Sequence, residues 1–143
     1  HRRLAGKAQN QAIFSLFCGI ISGTPQTGEP SNMTTQIAGY HAHVYYDAKT
    51  KEAASLVRDG VGQEFPAAEL GRWRDEPVGP HPMPSYQIAF TPDLFGTLVP
   101  WLATNRRGLT IFVHTETGDH IPDHTDYAMW MGSMPELDLD ALR

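Results

Sequence analysis

Apolar and polar positions alternate at period two in several stretches of the chain and recur at helical spacing in two others. GYHAHVYYD (Gly39 to Asp47) alternates and is rich in aromatic and β-branched residues, so it predicts a strand. Asp47 is placed to cap a following helix, AKTKEAASLVRDG, with Ala53, Leu56 and Val57 on one face and Gly60 as its stop. Residues 63–77 read as a loop leading into a strand around Glu69 to Asp75. From Pro77 to Pro84 four prolines fall in eight positions; this is an extended connector, because proline fixes φ and removes a backbone donor.

SYQIAF (Ser85 to Phe90) predicts the next strand. Thr91-Pro92-Asp93 then opens a second helix whose apolar face is Phe95, Leu98, Val99 and Leu102, at i, i+3, i+4 and i+7. Pro100 lies inside that helix, four residues after Gly96, whose missing side chain lets the helix bend there rather than end. GLTIFVHTETG (Gly108 to Gly118) gives a long strand, DHIPDHTD a loop, YAMWMG a short last strand, and PELDLDALR a solvated tail. This order predicts an α+β fold: a ferredoxin-like sandwich with two helices on one face of an antiparallel sheet.

Alternation assigns faces. The helices require the aliphatic set Val44, Ile88, Phe90, Ile111 and Val113, which leaves His41, His43, Tyr45, Gln87, Phe112 and His114 on the opposite, open face. First and last strands are neighbours in such a sheet, so His114 is expected beside the His41/His43 pair. Three imidazoles reaching one point suit Zn(II), Fe(II) or another first-row ion. His81, His120 and His124 lie in loops, where they are placed to add a ligand or transfer protons; His120 is the weakest of these. A lone strand histidine is ordinarily structural, whereas H-x-H with a third on the adjacent strand favours a site. Tyr45, Phe112 and Trp130 equally suit a subunit interface, and Arg72 and Arg74 around Trp73 suit a solvated edge.

Charge and composition narrow the function classes. The 143 residues carry a net charge of −5, which disfavours a nucleic-acid partner. Residues 1–32 hold three basic groups and one acidic, so the remainder carries the acidity. Arg2 and Arg3, the apolar run Ala12 to Ile21 and the small residues after it outline either a secretory signal or an extension upstream of the domain. That run is too short to span a bilayer as a helix. The expected division is an extension over 1–36 and a domain over 37–143, with no membrane partner. Cys18 is the only cysteine, so the domain has no disulfide, which fits a cytoplasmic location; secretion applies if residues 1–32 act as a signal. No phosphate-binding loop, nucleophile elbow or cysteine metal motif is present.

In combination, H-x-H-x-Y-Y (41–46), G-P-H-P-M (79–83) and H-T-x-T-G followed by D-H-T (114–125) resemble the DOPA 4,5-dioxygenase family. The resemblance covers nearly all of residues 37–132. It implies a dimeric enzyme that opens a catechol ring such as that of L-DOPA with O2, in the extradiol manner, on a non-heme metal, Fe(II) before Zn(II). In fungal members the resulting seco-acid cyclises to a pigment precursor. The implied roles are His41, His43 and His114 as ligands, and His81 and His124 in acid–base or orienting work. Tyr45, Gln87 and Phe112 would contact the substrate. Well-known extradiol sites include a carboxylate, which here would have to be Glu116 or Asp123. Two other classes stay open: a dimeric non-catalytic module for small aromatic ligands, and a cofactor-independent oxygenase.

Overall fold

A computed structural model describes residues 34–143; the expectations for residues 1–32, Cys18 included, lie outside them. Strands β1 (Gly39–Tyr45), β2 (Glu69–Leu70), β3 (Ser85–Phe90), β4 (Ile111–Glu116) and β5 (Met129–Met131) form one antiparallel sheet in the order β2-β3-β1-β4-β5. The first four strands have the ferredoxin-like order, and β5 extends the sheet beyond β4. Helices α1 (Lys51–Glu64) and α2 (Phe95–Asn105) supply the two crossings, and α3 (His120–His124) is a single turn between β4 and β5. Among the described residues no helix is long and apolar enough to cross a membrane.

The core lies where the alternation put it. Val44, Ile88, Phe90, Ile111 and Val113 are all buried, against Ala54, Val57 and Val61 of α1 and Leu98 and Leu102 of α2. Burial of these side chains away from water is the main force joining the layers.

Local details differ from the pattern for physical reasons. The Asp47 carboxylate accepts from the Lys49 and Thr50 N–H groups and the Thr50 hydroxyl, so it closes a turn ahead of the helix, which begins at Lys51. Gly60 does not stop α1, which continues to Glu64 and buries Val61. A Cβ at Gly60 would stand 2.6 Å from the Trp101 ring, so glycine serves there to let α2 approach. Leu56 is exposed, because the buried stripe runs through Ala54, Val57 and Val61. The strand expected over 69–75 is only two residues long, with a separate bridge from Arg74 to Ser85. Pro92–Leu94 forms a 3-10 turn, and α2 runs unbroken through Pro100. The tail is not free: Leu139–Leu142 forms a 3-10 turn, and the Asp138 N–H donates to Pro80 O of the connector at 3.0 Å.

Candidate metal centre

The sheet face opposite the two long helices carries the histidines, but it is not open. The proline-rich connector, α3 and Trp130 cover it, leaving His43, His114, Tyr45 and Phe112 each less than 7 % exposed. Tyr45 and Phe112 are therefore interior residues of one chain, not a surface left for a partner.

Register explains the convergence. His41 stands opposite His114 in the β1–β4 ladder, and His43 opposite both Phe112 and Gln87. Same-face alternation then puts three imidazoles on neighbouring points of the pleat. Each offers one ring nitrogen, and these atoms lie within 4.8 Å of one another. His43 Nε2 and His114 Nε2 are 3.1 Å apart.

The donor set fits a metal ion. With metal–nitrogen bonds of about 2.1 Å, two ligands on one ion sit roughly 3.0–3.4 Å apart. The His43–His114 spacing meets this, and His41 offers a third ring nitrogen within 4.8 Å of both. His114 Nδ1 donates to Thr115 O at 2.9 Å, which leaves Nε2 with its lone pair free toward the cluster. The Glu116 carboxylate lies 3.1 Å from His41 Nδ1 and 3.5 Å from His114 Nδ1, on the ring sides away from a shared ion. Burial lowers the pKa of every member: His114 to about 3, His43 well below the usual imidazole range with help from His81, and His41 to a lesser degree against the pull of Glu116. The imidazoles are thus neutral at pH 7, the state that binds metals.

A second layer holds the first. His81 packs tilted against His43 with ring centroids 4.0 Å apart, and the Tyr45 hydroxyl meets His81 Nδ1 at 2.7 Å. Burial lowers His81 to about 4, with His124 and His41 adding to the effect. His124 packs tilted against His114, also at 4.0 Å, and its Nδ1 donates to His120 O at 2.7 Å. Phe112 lies under this group, stacked on Trp130 at 4.3 Å.

Asp123 is no ligand: it is fully buried and accepts from the Thr115 hydroxyl at 2.6 Å and from the Thr117 N–H and hydroxyl. It clasps α3 to the end of β4 and so fixes His124. The only trace of this clasp in the sequence is the Thr-x-Thr before D-H-I-P-D-H, a turn closed by a short acid.

A cleft of about 300 Å³ opens beside His43 and His81, with Gln87 in its wall and Arg72 and Arg74 at its rim. Of the three residues expected to contact substrate, Gln87 lines this cleft, whereas Tyr45 and Phe112 lie beneath the imidazoles.

Residues 40–141 match the model of the Dopa 4,5-dioxygenase family. A 21.2 kDa protein of Botryotinia fuckeliana is 36% identical over 115 residues, covering 73% of this chain and 63% of the relative. A DOPA 4,5-dioxygenase of Amanita muscaria is 32% identical over 127 residues, covering 83% of this chain and 56% of the relative. The chain therefore spans about three fifths of the length of these curated relatives. The crystal structure of a candidate dioxygenase from Nostoc punctiforme superposes with a TM-score of 0.73 at 51% identity, covering 75% of this chain and 92% of that one.

Proposed function

The chain belongs to the Dopa 4,5-dioxygenase family, and from that premise we propose that it is a metal-dependent, extradiol-type dioxygenase that opens a catechol ring with O2. The observation that carries the reading is the 3.1 Å approach of two buried, neutral imidazoles from different strands, with a third beside them. Without an ion the two rings share a hydrogen bond, and a divalent cation at the same point would take the lone pairs of both.

His41, His43 and His114 would hold the ion, Fe(II) before Zn(II). When bound, it brings catecholate and O2 to one centre and carries electron density between them. In the reaction one ring carbon–carbon bond breaks, two carbon–oxygen bonds form, and both atoms of O2 finish in the product.

The chain's own residues bind, shield and move protons. Gln87 and His81 face the cleft through which the ring reaches His43. His81, kept neutral by burial, accepts a catechol proton and later returns it; Tyr45 fixes its ring through Nδ1. His124 is held against His114 by α3 and serves the same proton traffic. Phe112 and Trp130 close the far side to water. The expected homodimer belongs to this reading, with an interface outside the buried Tyr45 and Phe112.

The test is single turnover by protein loaded anaerobically with Fe(II). Mixing with caffeate and O2 should give a yellow product heavier than the substrate by both atoms of one O2; with L-DOPA the cyclised product should be heavier by one O2 less one water. A bound but unaltered catechol would instead favour the non-catalytic binding module.

A further inference from the structure

The histidine cluster has two approaches, and they differ in charge. The cleft beside His43 and His81 carries Arg72 and Arg74 at its rim. On the other side a hollow of about 330 Å³ is lined by His41, Glu69 and Glu116.

Register builds this second side. Glu69 stands opposite Ala89 in the β2–β3 ladder, Ala89 opposite His41 in the β1–β3 ladder, and His41 opposite His114 in the β1–β4 ladder. Directly paired residues share a face of the sheet, so these four form one row across the histidine side. Neighbouring strands are about 4.8 Å apart, which sets the Glu69 and His41 backbones roughly 10 Å from each other, with the small Ala89 between them. Glu116, two residues beyond His114, falls on the same face, and its carboxylate reaches His41 Nδ1 at 3.1 Å. Gly39, Ala67 and Ala89 also line the hollow, and their small size keeps it open.

Exposure agrees with charge. The His41 side chain is 26% exposed and that of His114 only 1%, while His43 is buried. His41 is therefore the most open of the three imidazoles, and it opens onto the carboxylates. Glu69 is exposed and, among the described residues, forms no ion pair. A cation nearing the His43 cleft instead meets two guanidinium groups, which repel it.

On the reading of His41, His43 and His114 as a metal centre, we propose that the hydrated divalent cation enters and leaves from the His41 side, drawn in by Glu69 and Glu116 and taken first by His41. The His43 cleft is then left to the organic substrate. Glu69 is no ligand in this scheme; it raises the local cation concentration at the mouth and so acts on the rate of loading.

Stopped-flow mixing of the metal-free full chain with Co(II), followed by the visible absorbance of the bound ion, reads association; release to excess EDTA reads dissociation. Glu69→Gln should slow association by about threefold to tenfold at low ionic strength, and the difference should vanish near roughly 0.5 M salt. Ala89→Leu puts a larger side chain in the hollow, so association and dissociation should fall by the same factor while equilibrium affinity stays unchanged. The double variant R72A/R74A should leave association as it was. Unaltered association in both E69Q and A89L overturns the route and leaves the metal centre standing, and so does association quickened by R72A/R74A but untouched by E69Q. E69Q, isosteric and at an exposed position, decides the matter alone if A89L does not fold. Failure of the unsubstituted chain to bind Co(II) at equilibrium removes the route together with the metal centre on which it rests.

Discussion

His43 Nε2 and His114 Nε2 lie 3.1 Å apart although the two residues are not cross-strand partners: His43 stands opposite Phe112, and His114 opposite His41. The contact is diagonal, and Phe112 beneath it and the Thr115 carbonyl beside it keep both rings turned inward.

That geometry predicts shared metal coordination. His43→Ala and His114→Ala should each weaken Co(II) or Zn(II) binding by roughly a hundredfold or more, read by competition with a chromophoric chelator. His120→Ala, whose role is confined to its backbone carbonyl, should leave binding unchanged.

Glu116 polarises the outer nitrogens of His41 and His114 from 3.1 and 3.5 Å. Glu116→Gln should lower metal affinity by about 10–100-fold. Thermal unfolding of the metal-free protein should move little, because Glu116 is only partly buried. Retention of full affinity would show that the carboxylate does not act on the ligands.

Acid should destabilise the metal-free protein. In the unfolded chain imidazoles protonate near pH 6.5, whereas folded His81 and His114 stay neutral to about 4 and about 3 because burial disfavours their charged forms. Unfolding therefore takes up protons between those values, and the stability present above pH 6.5 is lost as pH falls, at about 1.4 kcal/mol per pH unit for each such imidazole. Urea midpoints in EDTA at pH 7 and pH 5 give the slope, and His81→Gln should remove one imidazole's share.

Tyr45→Phe keeps the packing and removes the hydroxyl that meets His81 Nδ1 at 2.7 Å. The expected result is a fall in kcat of at least about tenfold with KM little changed, and His81→Gln should cost roughly 10²–10⁴. A change confined to KM would make His81 a binding residue instead.

Much of the fold was legible because its core is aliphatic and strictly alternating: Val44, Ile88, Ile111 and Val113 left only one face for His41, His43 and His114. Residues that answer to long-range contacts were not legible. Gly60 reads as a helix stop until Trp101 is placed over it, and D-H-I-P-D-H reads as a loop until Thr115 and Thr117 reach Asp123. Alternation assigned Tyr45 and Phe112 to the site face but carries no information about the connector, α3 and Trp130 that cover them. Arg72 and Arg74 are exposed, as a solvated edge requires, and they also line the cleft beside His43 and His81, which residues 71–87 build by folding back on themselves.

Oxygen consumption by the Fe(II)-loaded chain on addition of caffeate, run side by side with His43→Ala, tests the central claim most directly. The account predicts uptake of one O2 per catechol with growth of a yellow product, and loss of both in the variant. Equal uptake by the variant, or none by either protein despite bound iron, would contradict it.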